Sequence, residues 1–198
     1  MSSSHQTVAI LAGGKATRFN GQDKGEILIN GQRLIDIIHE RLKPQSNEII
    51  ISGTHNYGLG FPVTADAADA PGGPVGGIYS LWKYLESRNI EGFFTAAIDG
   101  PNVPTDLTAK LYSQGTCTIA VDGKGRHPTY GFWRMNDLSK VFANFTVTGS
   151  LSLNGLATLV GAKTVPWNGA VSFININQKT DLENYINIIE EVFNDEAS

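Results

Sequence analysis

The sequence is short of cysteine, of net charge and of long apolar runs, and each shortage excludes a class of protein. Cys117 is the only cysteine in 198 residues, which excludes an intramolecular disulfide and a zinc site built on paired cysteines. Lys and Arg total 15 against 19 Asp and Glu, so a nucleic-acid binder that relies on bulk positive charge is not expected. The chain also lacks a membrane-length apolar run and a recognisable signal peptide. We therefore expect a soluble, cytoplasmic protein with no membrane partner.

The composition is that of a folded domain. Apolar residues make up 41% of the chain and charged residues 17%, which excludes a disordered or fibrous protein. A chain of this length buries roughly 70% of its unfolded surface without disulfides or metals. We predict a single domain over residues 1–198. Glycine is abundant, with 22 residues, so the positions of the glycines are informative about turns and binding loops.

The first half of the chain alternates short apolar runs with segments of helical spacing. The predicted strands are residues 8–12, 48–52, 61–65 and 92–98, and the predicted helices follow 34–42 and 75–85. Unbroken apolar runs are typical of strands that are buried on both faces. The alternation therefore predicts right-handed βαβ units around a mostly parallel sheet, which is an α/β fold.

The second half carries weaker patterns. Two strands, 116–121 and 129–133, are predicted around a turn at Asp122-Gly123, and shorter strands at 163–167 and 171–174. Helices are predicted at 105–114, 136–144 and 151–160. The last helix is the clearest, since Thr180 and Glu183 have capping-box spacing before an amphipathic segment.

A glycine-rich loop follows the first predicted strand. Gly13 and Gly14 allow backbone N–H groups to approach a phosphate closely. Lys15, Arg18 and Lys24 lie within ten residues of one another and together would neutralise a triphosphate. The P-loop and the dinucleotide fingerprint are both missing. From the residues alone, a nucleotide site and a solvated surface loop stay equal alternatives.

Two aspartates end predicted strands. Asp99 follows the run 92–98, at the edge where ligands bind in such sheets, and its carboxylate suits Mg²⁺ beside phosphates. The alternative for Asp99 is a turn residue before Gly-Pro. Asp66 follows the run 61–65 and has a loop-cap alternative. His127 precedes a proline, so a structural turn and a substrate contact are both open. Asn175 and Asn177 point the same way if a strand persists there, and backbone capping is their alternative.

Six segments, in order, carry a family resemblance. They are Leu11-Ala12-Gly13-Gly14 with Arg18 and Asp23-Lys24, Asn30-Gly31-Gln32-Arg33-Leu34, Asp66 with Gly73-Pro74-Val75-Gly76-Gly77, Asp99-Gly100-Pro101 with Pro104, Asp122-Gly123 with His127-Pro128-Thr129, and Phe173-Ile174-Asn175-Ile176-Asn177. Together they resemble the molybdenum cofactor guanylyltransferase (MobA) family, within the MobA-like nucleotidyltransferases.

The resemblance implies a three-layer Rossmann-like nucleotidyltransferase fold, with GTP and molybdopterin as substrates and Mg²⁺ as cofactor. It implies that the pterin's terminal phosphate attacks the α-phosphorus of GTP and expels pyrophosphate, which needs no general base. Transient contacts with other cofactor-biosynthesis proteins are implied as well. The implied roles are nucleotide cradling by Leu11, Ala12, Gly13 and Gly14, pyrophosphate stabilisation by Arg18 and Lys24, Mg²⁺ binding by Asp99, a nucleoside contact by Asp66, and acceptor or metal-site contacts by His127, Asn175 and Asn177.

The chain also departs from the family pattern. The family's usual Cys-Asp-Met-Pro is Ile98-Asp99-Gly100-Pro101 here, and residues 146–161, where members often carry Arg or Lys, contain no charge. The Leu-Ala-Gly-Gly opening favours GTP over CTP, because cytidylyl relatives usually carry Leu-Ala-Ala-Gly. Two alternatives stay open: the same transfer onto a sugar or polyol phosphate, and a non-catalytic GTP-binding protein that handles the cofactor.

Overall fold

The computed structural model of the chain describes residues 6–13, 22–143, 151–169 and 171–196. The strands are β1 Thr7–Leu11, β2 Leu28–Ile29, β3 Gln32–Arg33, β4 Glu48–Ser52, β5 Val63–Thr64, β6 Gly92–Ala97, β7 Thr118–Asp122, β8 Gly125–Arg134 and β9 Lys163–Pro166. The helices are α1 Leu34–Leu42, α2 Pro74–Leu85, α3 Leu107–Leu111, α4 Met135–Phe142, α5 Leu153–Leu159 and α6 Lys179–Glu196.

Seven of the described strands form one sheet in the order β5-β4-β1-β6-β8-β7-β9. Strand β1 pairs in parallel with β4 on one side and with β6 on the other, and β5 and β9 also pair in parallel with their neighbours. Strand β8 alone among them runs antiparallel, between β6 and β7. The predicted mostly parallel α/β sheet is therefore confirmed.

The side chains of the central strands alternate between two cores. Val8 and Ile10 pack with α1, α3 and α6 on one face, whereas Ala9 packs with α2, α4 and α5 on the other. All three side chains are fully buried, as the unbroken apolar run predicts. The sheet thus lies between two helical layers, and the fold has three layers.

The chain order creates a crevice at β1. From β1 the chain passes to β4 and β5 on one side, and then crosses to β6 on the other side. The loops that follow β1 and β6 therefore diverge at neighbouring carboxyl ends, where ligands bind in open parallel sheets. Among the described residues, no helix has the length and apolar character that crossing a membrane requires.

Several predicted elements differ in the structure. The edge strand predicted at 61–65 is only Val63–Thr64, beginning after Pro62. The helix predicted at 105–114 is only Leu107–Leu111. The residues described at 171–177 contain no strand, because the chain turns there to bury Phe173 against Tyr130 and Trp167. That turn removes the strand on which the common orientation of Asn175 and Asn177 depended.

Strand β8 is longer than predicted and contains His127, so the structural-turn interpretation of His127 is wrong. Ile119 lies opposite Gly131 but Ala120 lies opposite His127, so residues 128–130 bulge out of the ladder. Pro128 has no N–H to donate and fits such a bulge.

The capping box predicted at α6 is replaced by a related arrangement. The Asp181 carboxylate accepts hydrogen bonds from the backbone N–H groups of Asn177 and Gln178, at 2.8 and 3.0 Å. Helix α6 begins at Lys179, one residue before Thr180, so Thr180 lies inside the helix and does not cap it.

Candidate active site

A cleft of about 690 Å³ opens at the carboxyl ends of the central strands. Its lining comes from the ends of β1, β4 and β6, the start of α2, the turn before β2, the bulge of β8 and the start of α5. The residues are Leu11, Ala12, Gly13, Asp23, Lys24, Ser52, Asp66, Gly73, Pro74, Gly77, Ala97, Ile98, Asp99, Thr129 and Leu153. A second, more open hollow of about 450 Å³ beside Trp167 is lined by none of the residues predicted for the site.

Lys24 links two of the predicted site residues. Its Nζ donates to Asp99 Oδ2 at 2.8 Å and to Asn177 Oδ1 at 2.9 Å. The Lys24 and Asp99 side chains are 22% and 18% exposed, so the pair stays open to the cleft. Residues separated by 75 and 153 positions in the chain thus meet at one point.

Asp23 and Tyr57 hold the turn that presents Lys24. Lys24–Glu26 forms a short 3-10 turn, and Asp23 Oδ1 accepts from Gly25 N at 2.8 Å and from the Tyr57 hydroxyl at 2.7 Å. Burial and the hydrogen bond to Asp23 raise the Tyr57 pKa well above its ordinary value, so the hydroxyl remains a donor. Tyr57 has φ 54°, a left-handed conformation that few non-glycine residues adopt. No local motif in the sequence pointed to this tyrosine.

Asp99 is fixed through its backbone. Its carbonyl accepts from Ile176 N at 2.7 Å, and the preceding Ile98 N donates to Leu11 O at 3.3 Å. These two bonds tie the loop after β6 to the end of β1 and to the segment before α6. These bonds hold the main chain of Asp99 without using its carboxylate, which accepts from Lys24 in the cleft.

The donor set suits a Mg²⁺ ion that shares its coordination with phosphates. The Asp99 carboxylate and the Asn177 amide oxygen converge on the Lys24 ammonium, so the ammonium shows that both oxygens reach one cation. Mg²⁺ is commonly held by one or two carboxylates together with substrate phosphates and water. Within the described residues, no group of three or more His, Cys, Asp or Glu side chains forms a metal cage. One carboxylate oxygen and one amide oxygen therefore fit an ion that substrate phosphates would also hold.

Where the ends of β1 and β4 and the start of α2 line the cleft, small residues let their main chains lie close together. Ala12 N donates to Ser52 O at 2.8 Å, and a Cβ on Gly77 would lie 3.0 Å from Ser52 Oγ. Helix α2 begins at Pro74, immediately after Gly73, whose φ of 78° requires glycine. Gly73, Pro74 and Gly77 place this helix start on the cleft wall, and the N-terminal end of a helix favours an anion.

The structure brings most of the predicted nucleotide residues together. Leu11, Ala12, Gly13, Lys24, Asp66 and Asp99 line the cleft. Gly14, Lys15 and Arg18 lie outside the described residues, so their predicted roles stay predictions. Asn177 joins the site through Lys24, whereas Asn175 is exposed beside Gly100.

His127 is not brought to the cleft. Its Nε2 lies 2.8 Å from Asp122 Oδ1, a close electrostatic contact rather than an aligned hydrogen bond, and its ring packs on Phe173 at 4.7 Å. Burial alone would raise the Asp122 pKa, but His127 and the Lys124 backbone N–H outweigh burial, and the pKa is lowered. His127 thus supports the β7–β8 hairpin, and Thr129 lines the cleft instead.

Several lining residues received no role from the sequence. They are Asp23, Ser52, Gly73, Pro74, Gly77, Ala97, Ile98, Thr129 and Leu153. Asp23, Gly73, Pro74, Gly77 and Thr129 lie within the six segments of the resemblance, so a signal existed for them. The signal for the other four, Ser52, Ala97, Ile98 and Leu153, was their place at a strand end or a helix start.

Comparison with known proteins identifies the family of this site. The sequence model of the family described as "MobA-like NTP transferase domain" matches residues 8–154. The chain belongs to the MobA-like NTP transferase family. A molybdenum cofactor guanylyltransferase of Cereibacter sphaeroides is 32% identical over 179 residues, covering 87% of this chain and 91% of the relative. One from Yersinia pestis strain Pestoides F is 30% identical over 185 residues, covering 89% and 93%.

Solved structures agree on the fold. Molybdopterin-guanine dinucleotide biosynthesis protein A from Archaeoglobus fulgidus superposes with a TM-score of 0.73 at 19% identity, covering 94% of this chain and 100% of that one. The inositol-1-phosphate CTP transferase from T. maritima gives 0.70 at 13% identity, covering 97% and 98%. These structures bear out the predicted three-layer fold. The family model and the guanylyltransferase relatives show that the chain is an enzyme, a nucleotidyltransferase.

Proposed function

We propose that this enzyme transfers GMP from GTP to the terminal phosphate of molybdopterin and releases pyrophosphate. The observation that carries the proposal is the convergence of Lys24, Asp99 and Asn177 at the carboxyl ends of the central strands. The names of the relatives at 30% and 32% identity support the choice of GTP and molybdopterin.

The site has the parts that phosphoryl-type transfer needs. Such reactions depend on positioning and on neutralising charge, and a phosphate acceptor is already ionised at neutral pH. The backbone at 11–13 and the start of α2 would hold the nucleotide, with Asp66 at its nucleoside end. Asp99, aided by Asn177, would hold Mg²⁺, which supplies charge neutralisation on the phosphates. Lys24, with Arg18, would stabilise the leaving pyrophosphate.

Lys24 must change partners when a triphosphate binds. The Lys24 and Asp99 side chains are only 22% and 18% exposed, so parting them without replacement would leave a partly buried charge unpaired. The exchange would therefore need a phosphate to take the place of Asp99 on Lys24 and a cation such as Mg²⁺ to take the place of Lys24 on Asp99. Until then Asp99 and Asn177 hold the lysine in the cleft rather than in solvent. The proposed transfer thus begins from a lysine whose side chain is already ordered.

The acceptor side has a different character. Leu153, at the start of the uncharged helix α5, lines the cleft, and no lysine or arginine lies between 151 and 161. The apolar Leu153 side chain suits contact with a ring system such as the pterin. We further propose a single-domain, Mg²⁺-dependent enzyme of the cytoplasm that makes transient contacts with other cofactor-biosynthesis proteins.

The first test is thermal unfolding with GTP, CTP and ATP, each with and without Mg²⁺. A ligand at 100 times its dissociation constant adds about 2.7 kcal/mol. For a chain of this size, that is a midpoint shift of about 5–10 °C. We expect the Mg²⁺-dependent shift with GTP alone, and we expect Asp99→Asn to lose the Mg²⁺-dependent part. A preference for CTP or ATP would overturn the guanylyl assignment, and unchanged Mg²⁺ dependence in Asp99→Asn would overturn the metal assignment.

A further inference from the structure

A tyrosine hydroxyl lies buried beneath the active-site loop. Tyr130, in the bulge of β8, is 1% exposed, and its hydroxyl has no hydrogen-bond partner among the described residues. Burying an unpaired hydroxyl is unfavourable, and phenylalanine would fill the same volume without that cost. The hydroxyl therefore needs an explanation beyond packing.

The hydroxyl is placed against the residue that follows Asp99. A Cβ on Gly100 would overlap the Tyr130 oxygen, and it would lie 3.1 Å from Tyr130 Cζ and 3.7 Å from Asn175 Oδ1. Glycine at 100 is thus required by the position of the tyrosine. Phe173 packs on the ring at 4.8 Å and holds it there.

The hydroxyl is also near the Asp99 carboxylate in the chain fold, since it lies against Gly100, the next residue. A tyrosine hydroxyl can donate one hydrogen bond, and a carboxylate accepts. Among the described donors, Lys24 is the one that now bonds to the Asp99 carboxylate.

We propose that Tyr130 is a positioning residue for Asp99, whose carboxylate accepts a hydrogen bond from the Tyr130 hydroxyl once Lys24 has turned to the triphosphate. The inference rests on the proposed function, because it concerns the ligand-bound state of the same site. Carboxylates that bind metals are commonly oriented by such outer hydrogen bonds, and losing one weakens metal binding about 10- to 100-fold.

The test is a Mg²⁺ titration of GTP binding by calorimetry in wild type and Tyr130→Phe. We expect the variant to keep or gain thermal stability without ligand, since it loses an unpaired buried polar group. We also expect it to need at least about tenfold more Mg²⁺ for half-maximal GTP binding. The matched control is Tyr185→Phe, a tyrosine 5% exposed in the core outside the cleft, which should change neither property.

A second pair of variants tests the packing argument. Gly100→Ala should lower the unfolding midpoint and weaken Mg²⁺ dependence, because the new methyl group displaces the hydroxyl. Adding Tyr130→Phe should restore part of the midpoint while Mg²⁺ binding stays weak. Equal Mg²⁺ midpoints in wild type and Tyr130→Phe would overturn the inference alone. Absence of Mg²⁺-dependent nucleotide binding in wild type would overturn both the inference and the proposed function.

Discussion

Replacing Gly25 with alanine is expected to displace the turn that carries Lys24. A Cβ at this position would overlap the Tyr57 ring, with Cζ at 2.8 Å and Ile98 Cδ1 at 3.1 Å. Tyr57 is 3% exposed and its hydroxyl is bonded to Asp23, so the ring has no free space into which it can move. The turn must therefore shift, and the Lys24 ammonium moves with it.

The cost follows from the crowding. Overpacking a close-packed site costs about 1–3 kcal/mol. Removing glycine's freedom in the unfolded chain returns about 0.4–1 kcal/mol. The net loss is then about 1–2 kcal/mol, which lowers the unfolding midpoint by about 2–8 °C at this chain length. A lysine that no longer reaches its phosphate loses a charged hydrogen bond of about 1.5–3 kcal/mol, so nucleotide affinity should fall at least about tenfold.

The assay measures both quantities in one series, by calorimetric unfolding and by GTP titration with Mg²⁺. The control is Gly123→Ala in the β7–β8 turn, where an added Cβ has nothing within 4 Å. The control should keep wild-type affinity. If Gly25→Ala matches it in both measurements, the close packing of Gly25 on Tyr57 does not position Lys24.

Three further outcomes are expected. In Gly77→Ala the new Cβ lies 3.0 Å from Ser52 Oγ, and both residues line the cleft, so GTP affinity should fall about three- to tenfold at near-constant stability. Equal GTP affinity of the variant and wild type in a binding titration contradicts this. Burial raises the Cys117 pKa from 9.0 to about 11, so the neutral thiol's contribution to the free energy of unfolding is complete below pH 9. About 2–3 kcal/mol of that free energy is lost as pH rises towards 11, and Cys117→Ala should lose less of it over the same pH range in denaturant titrations. Gln45→Ala removes buried bonds, including one from Thr108 N at 3.0 Å, and should cost about 3 kcal/mol of unfolding free energy.

Elements with a strong apolar pattern were the ones that the sequence could predict. Strand β4 has the predicted bounds, because three consecutive isoleucines in a short run have no other place than the sheet interior. Strand β8 was underestimated because Pro128 suggested a turn, whereas a bulge accommodates it within the strand. The apolar residues at 171–174 likewise serve a turn that buries Phe173, which periodicity alone does not distinguish from a short strand.

The site was predictable where topology and the family resemblance together bring residues to one place. Lys24 and Asp99 follow adjacent strands of a parallel sheet, so their meeting follows from the fold and from the family resemblance. Tyr57 and Tyr130 act through contacts with glycines 32 and 30 residues away in the chain, and no local pattern reports such a contact. His127 shows the converse, since this motif residue contacts Asp122 in the β7–β8 hairpin and does not line the cleft, and its predicted acceptor contact stays a prediction.

The most direct test is transfer of label from GTP radiolabelled at its α-phosphate to molybdopterin, with pyrophosphate measured in parallel. We expect wild type to form the labelled dinucleotide and equimolar pyrophosphate only with Mg²⁺. Asp99→Asn should bind GTP yet form product at least about a hundredfold more slowly, since the charge that holds the metal is lost. Label that stays in GTP with molybdopterin but moves to a sugar phosphate, or equal transfer by wild type and Asp99→Asn, would contradict the account.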